Sequence, residues 1–200
     1  MTSDERDFQA LLNRLYAARA APAQIDVPEL TFIKVDGTGA PGGAEHAEAI
    51  KTLYTVSYSI RRIAKERLNF KYPVPPLEGL WWSRGTERSA WRWTMMIMVP
   101  DLVPPKAQQE GMEAAAKKLG RLPPNLRIET FREGLCVQML FVGPYSDEGP
   151  AINALHRDFI VGAGFVTNGP HHEIYLSDPN RTPAAKLRTI LRQPVARATE

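Results

Sequence analysis

The chain has a single cysteine, Cys136. One thiol excludes an intramolecular disulfide and suits a reducing compartment. It sits in the apolar run at residues 134–141, where it reads as a buried structural thiol rather than a nucleophile. No apolar run approaches the length that spans a bilayer, and the acidic, polar N-terminus lacks the apolar region of a secretory signal. No membrane partner is expected, and the location is read as cytoplasmic. Charge of one sign is also scarce: the net charge is +3 and the basic residues are scattered, so no direct nucleic-acid partner is expected. Gly37, Gly39 and Gly42 lack a following Gly-Lys-Ser/Thr and miss the dinucleotide fingerprint, which argues against a phosphate loop. His46, His156, His171 and His172 show no metal-ligand spacing. Neither a metal nor a cofactor is expected.

What is present is an ordinary globular composition, with 200 residues, 44% hydrophobic and 24% charged, enough for one large domain or two small ones with a real core. A capped helix is predicted from Ser3 or Asp4, with Phe8, Leu11, Leu12, Leu15 and Tyr16 at helical spacing. A strand is expected at 30–35, then a long helix at 44–68 with Ile50, Leu53, Ser57, Ile60, Ala64 and Leu68 as its apolar stripe. Tyr54 and Tyr58, four residues apart, flank that stripe. Strands at 77–82 and 91–99 follow, joined by a turn at 83–88. Further on, the pattern predicts a helix at 106–119, strands at 126–131 and 135–142, a helix at 151–163, a strand from 171, a basic helix at 182–191 and a frayed tail after Pro194.

The strand from 171 draws attention. Bounded by Asn168-Gly169-Pro170 and Asp178-Pro179, it alternates so that His171, Glu173 and Tyr175 share one face while His172, Ile174 and Leu176 share the other. Glutamate is depleted in strands. Glu173 is therefore either a solvent-facing residue or a carboxylate at the floor of a pocket. All four tryptophans, Trp81, Trp82, Trp91 and Trp93, fall within thirteen positions. A small sheet cannot bury four indoles on one side, so some should line a cavity or an exposed patch. Trp81 and Trp82 must face opposite ways.

Strand, glycine-containing loop and helix occur at 30–68 and again at 135–163, each followed by further strand. This predicts an α+β fold of two strand-helix-strand-strand halves, with a joined antiparallel sheet, helices on one side and a central ligand groove. The expected divisions are an N-terminal helix and linker at 1–27, a domain at 28–194 (halves about 28–100 and 101–194) and a tail at 195–200.

Leu77-Glu78-Gly79-Leu80-Trp81-Trp82, Trp91-Arg92-Trp93-Thr94-Met95-Met96, Glu133-Gly134-Leu135-Cys136-Val137-Gln138, Gly143-Pro144-Tyr145 and His171-His172-Glu173-Ile174-Tyr175-Leu176-Ser177-Asp178-Pro179 together resemble the GyrI-like small-molecule-binding family. They are most similar to its stand-alone branch. The resemblance implies a duplicated fold with a groove for flat or cationic aromatic compounds and, in this branch, hydrolysis of cyclopropanoid genotoxins. The segment before residue 28 is too short for a helix-turn-helix, so a direct regulator role is not expected. By resemblance, Glu173 matches the pocket glutamate, with Tyr145 assigned beside it as catalytic. Tyr54, Tyr58, Trp81, Trp82, Trp93, His171 and Tyr175 are assigned to substrate binding. A carboxylate can deprotonate the attacking water and a phenol can stabilise the developing phenolate. Tyr54, Tyr58, Tyr145 and Tyr175 all remain candidates for that donor. The same residues would also serve a module that sequesters aromatic or cationic drugs without transforming them.

Overall fold

The computed structural model describes residues 1–82 and 88–198, Arg88 by its backbone only. The elements run α1 (Ser3–Leu15), β1 (Ala23–Thr38), α2 (Ala44–Leu68), β2 (Leu77–Trp82), β3 (Arg92–Val99), α3 (Pro105–Leu119), β4 (Arg127–Val142), α4 (Glu148–Ala154), β5 (Phe165–Thr167), β6 (His171–Tyr175) and β7 (Arg188–Arg197). They pack into two units. The first comprises Met1–Arg14 and Leu30–Phe131, and the second Leu15–Glu29 and Arg132–Glu200. The strand-helix-strand-strand plan appears in both, as β1-α2-β2-β3 and as β4-α4-β6-β7 with the short β5 inserted. The α+β class and the duplication expected from the sequence are those of the structure.

In the first unit β3 is the middle strand. It pairs antiparallel with β1 from Thr31↔Val99 to Thr38↔Arg92, and with β2 from Leu77↔Ile97 to Trp82↔Arg92. Trp93 through Val99 are all buried, as a strand covered on both faces requires. The core-facing side of α2 is wider than the expected stripe, because His46, Ala49, Thr52, Val56, Ser59 and Ile63 are buried as well. Leu68, assigned to the stripe, is instead 41% exposed at the helix's last turn. Helices α2 and α3 meet at Gly111, where a Cβ would stand 2.7 Å from Ile60 Cα. Only glycine permits that approach.

In the second unit β7 is central. It pairs antiparallel with β4 from Cys136↔Pro194 to Val142↔Arg188, with β6 from His172↔Arg192 to Tyr175↔Thr189, and with β5 from Phe165↔Arg197 to Thr167↔Val195. Val137, Leu191 and Val195 on one sheet face pack against Leu155 and Ile160 of the helical segment and against Phe165.

Four expectations need correction here. Residues 182–191 form no basic helix: a 3-10 turn at Ala184–Lys186 leads into β7. The lysine, alanines and arginines favour helix locally, but Thr189–Gln193 are buried between partner strands, and tertiary pairing overrides propensity. The tail expected after Pro194 is strand to Arg197, with Pro194 itself paired to Cys136. The two strands expected at 126–131 and 135–142 are the single β4, in which Gly134 adopts a φ of 72° and continues the ladder instead of ending it. The helix expected at 151–163 begins at Glu148 and widens into a π-helical turn at Leu155–Ile160. β1 also starts well before residue 30, at Ala23, and β5 was not anticipated. The turn expected at 83–88 falls, at 83–87, outside the described residues. No helix among the described residues is long and apolar enough to cross a membrane.

Gly111→Ala should lower stability by about 1–3 kcal/mol through overpacking of α3 on α2. Denaturant titration checks this, and an unchanged midpoint would show that the helices can separate freely.

Candidate functional site

The sheet of the second unit has two chemically different faces. Directly opposed residues lie on the same side, so the pair Glu173↔Leu191 places Glu173, with His171 and Tyr175, on the side covered by the helical segment. The pair His172↔Arg192 lies on the reverse. The alternation read from the sequence is therefore the one the strand adopts.

On the helix side Glu173 is 5% exposed, and Tyr175 Oη donates to its Oε2 at 2.8 Å. His171 Nε2 lies 3.5 Å from Glu173 Oε1. His171, assigned to substrate binding from the sequence, is buried although it is the first residue of its strand. The covering segment explains this, since His156 packs its ring 6.0 Å from that of His171 at a tilt of 42°. His156 belongs to the π-helical turn, an irregularity that re-aims side chains and often marks functional sites. Tyr145 arrives from the 3-10 turn after Gly143-Pro144, its ring edge-on to Tyr175 at 5.7 Å. Burial pushes the Tyr145 phenol up, and the negative charges of Glu148 and Asp178 push it further, so at neutral pH it keeps its proton and can donate. It nonetheless remains 40% exposed, open to a ligand. The structure thus brings Glu173, Tyr175, His171 and Tyr145 together, and adds His156 and the buried Glu148. Sequence reasoning missed those two. Their only signal was placement in the helix that follows Gly143-Pro144-Tyr145.

The reverse side is a buried polar network. His172 Nδ1 is 2.7 Å from Glu133 Oε1, and Arg192 Nη1 donates to Glu133 Oε2 at 3.2 Å. Arg192 also donates through Nε to Gln138 Oε1 at 2.9 Å and through Nη2 to the Leu15 carbonyl at 2.7 Å, while Gln138 Nε2 donates to the Ala17 carbonyl at 3.3 Å. Strict alternation along β4 would put Glu133 opposite Gln138; the left-handed backbone at Gly134 breaks it and brings both to one side. Burial raises the Glu133 carboxyl, but the His172 and Arg192 charges and their hydrogen bonds outweigh it and hold the pKa at about 2. Glu133 is therefore an acceptor only, and His172 Nδ1 must carry the proton. Nearby Cys136 has its thiol pushed up by burial, then by Glu133, so the inert structural thiol read from the sequence fits its surroundings.

The first unit holds the aromatic cluster. His46, in the first turn of α2, accepts the Gly42 N–H at Nδ1, stacks on Trp81 with centroids 5.9 Å apart, and meets Trp93 edge-on at 5.2 Å. Burial lowers its pKa, leaving it neutral. Trp91 packs edge-on against Trp81. Trp93 is 1% exposed, and a Cβ on Gly37 would overlap its ring, so Trp93 lies inside the unit rather than on its surface. Trp81 is buried and Trp82 half-buried, on opposite faces as expected. Tyr54 and Tyr58 stack on each other along α2, Tyr58 more than half exposed. Glu78, which the sequence reading passed over, is buried in β2. Among the described residues no three His, Cys, Asp or Glu side chains are grouped to hold a metal ion.

A duplicated α+β fold with an acidic, phenol-rich face in one unit and an indole cluster in the other is the kind of lining that suits small-molecule binding. The comparison with known families agrees: a model of the GyrI-like small molecule binding domain matches residues 21–196, and the chain belongs to that family. Its structure is similar to that of an uncharacterized conserved protein from Listeria innocua, at 38% identity and a TM-score of 0.85. It is also similar to a hydrolase from Listeria innocua, at 38% identity and a TM-score of 0.82. Each likeness covers 94% of this chain and 98% of the other. The EcmrR C-terminal domain, at 12% identity and a TM-score of 0.60 over 89% of this chain and 98% of its own, shares the fold alone. No curated protein matches the sequence.

Removing the Glu133 charge strands a buried guanidinium. Because the folded pKa is depressed from 4.5 to about 2, the carboxylate's contribution is fully present above pH 4.5 and is lost as pH falls toward 2. Glu133→Gln should cost about 3 kcal/mol at neutral pH. The gap to the unsubstituted protein should close across that acid window, as read by denaturant midpoints at several pH values. A gap that does not vary with pH would mean the carboxylate is not held ionised.

Proposed function

We propose that this chain hydrolyses flat aromatic cyclopropanoid genotoxins, with Glu173 as the general base and Tyr145 as the proton-donating phenol. The observation that carries the proposal is the Glu173 carboxylate, buried in a strand with one oxygen fixed by Tyr175 at 2.8 Å. Such a group is oriented, and a carboxylate held in one orientation can act as a general base. In the reaction, Glu173 removes a proton from water as the water oxygen bonds to a cyclopropane carbon. The strained carbon–carbon bond breaks, and its electron pair passes through the conjugated ring to the carbonyl oxygen. That oxygen becomes a phenolate, stabilised by hydrogen bonding from Tyr145 and then protonated, so the product is the substrate plus one water. The description of a similar Listeria innocua protein as a hydrolase supports the class of chemistry and says nothing of the substrate.

Within the first unit, Tyr54, Tyr58 and Trp82 keep exposed surface that a planar compound can contact, while Trp81 and Trp93 are buried. His171 and Tyr175 act on the carboxylate. A second reading is favoured by one observation: the Tyr145 ring stands where the charges of Glu148 and Asp178 are felt, a combination suited to holding an aromatic cation without changing it.

Mass spectrometry of a cyclopropanoid alkylator incubated with the protein decides between them. The hydrolase reading expects a product heavier by one water, with Glu173→Gln slower by about 100-fold or more. Unchanged compound recovered bound to the protein favours sequestration. Tyr145→Phe should cost about 100-fold in kcat, whereas an equal rate for Tyr145→Phe together with a loss in Tyr175→Phe would move the donor role to Tyr175.

A further inference from the structure

The second histidine of the His-His-Glu-Ile-Tyr strand has no part in the chemistry above, because it faces away from Glu173. We infer that His172 is a positioning residue: its Nδ1–H bond to the buried Glu133 carboxylate fixes the rotation of β6 and thereby the aim of Glu173 on the opposite face. The inference rests on the reading of Glu173 as the functional carboxylate.

The geometry is that of an anchored lever. His172 and Glu173 are separated by one peptide, so a rotation of β6 about its axis swings both side chains together in opposite directions. β6 is only five residues long, and its ladder to β7 runs from His172 to Tyr175. Ladder bonds resist sliding better than they resist twisting, and sheets tolerate a wide spread of twist. A carboxylate at the end of a glutamate side chain has to be held within roughly 0.5 Å and 10–20° to work. The reverse-face network supplies that restraint. Glu133 grips His172 with one oxygen and Arg192 with the other, and Arg192 is itself fixed by Gln138 and by the Leu15 carbonyl. His172 is 1% exposed and the side chains of Glu133 and Arg192 are 2% exposed, so water does not compete for these bonds.

Arg192 gives Glu133 a permanent countercharge whatever the state of the imidazole. An apolar side chain at 172 would fill the same interior without a desolvation cost. What the imidazole adds is direction. An Nδ1–H donates whether the ring is neutral or charged.

The test uses the two amides that mimic the two ring nitrogens. The His172→Asn amide reaches about the position of Nδ1 and can restore the bond to Glu133; the His172→Gln amide lies nearer Nε2 and cannot. Glu173 is followed through its side-chain carboxyl carbon by NMR in full-length protein, assigned with Glu173→Gln, and kcat and KM are measured on the cyclopropanoid substrate. His172→Gln should loosen the Tyr175 hydrogen bond and raise the Glu173 titration midpoint by about one pH unit. Its kcat should fall about 10–100-fold with KM within about twofold. His172→Asn should restore both. His172→Leu takes the place of the Gln variant if that protein does not fold. Variants that lower the melting temperature but leave the Glu173 midpoint unmoved, or Asn and Gln variants that behave alike, overturn the inference. If the unsubstituted protein yields no product, the hydrolase proposal fails, and the midpoint comparison still decides the role of His172.

Discussion

Arg192 brings a permanent charge into the interior of the second unit, in the middle of its central strand. A guanidinium there is tolerable only if it is neutralised and its donors are used, because the desolvation cost of a buried ion exceeds what imperfect pairing returns. Much of the unit follows from that demand. Glu133 supplies the countercharge, Gln138 and the Leu15 carbonyl take two further donors, and the carbonyl of Ala17 completes Gln138. Gly134 accepts a left-handed backbone so that Glu133 and Gln138 converge on one side of a single strand. A buried charge pair thus dictates a glycine, a strand geometry and a histidine tautomer.

The opposite face is organised by different physics. On that face the contacts of Glu173 include a phenol and an imidazole. The covering helix opens into a π turn where His156 meets His171, and the Gly-Pro turn delivers a half-exposed Tyr145. A carboxylate bonded by a phenol and near an imidazole can be redirected at little cost, whereas the reverse face is held by buried charge pairs. Placing the two on either side of one short strand gives a mobile chemistry a stiff support.

The parts of this arrangement that were legible in the sequence are the local ones. The grouping of His171, Glu173 and Tyr175 needed only the two-residue period of a strand, and the long α2 needed only its helical repeat. The opposite orientations of Trp81 and Trp82 followed in the same way. What stayed hidden depends on contacts remote in sequence. Arg192 and Glu133 lie 59 positions apart, and neither looks like a core residue. Residues 182–191 carry helix-favouring alanines, lysine and arginines, and only the three strands that pair with β7 show why they are extended. Leu68 was misassigned because helical spacing says nothing about where the covering surface ends. Trp93 was placed at a ligand surface because a cluster of indoles looks excessive for a small core, yet the missing side chain of Gly37 makes room for that ring. His156 and Glu148 had no signature beyond their place in the helix after Gly143-Pro144-Tyr145.

The step from a domain that binds small molecules to one that transforms them requires little new structure. Binding an aromatic cation needs rings and a negative field, which Tyr145, Tyr175 and the neighbouring carboxylates provide. Hydrolysis needs in addition a proton acceptor and a proton donor held apart in opposite states at one pH. In the proposed reaction Tyr145 is the donor, since burial and adjacent negative charge both keep its proton on. The acceptor half falls to a carboxylate whose orientation is restrained by Tyr175 on its own face. A binding site becomes catalytic when that carboxylate is aimed at a water instead of being spent on a ligand's charge. Aim is a property of the strand that carries it, so in the proposed reaction the work of Glu173 depends on the ion pair buried behind it.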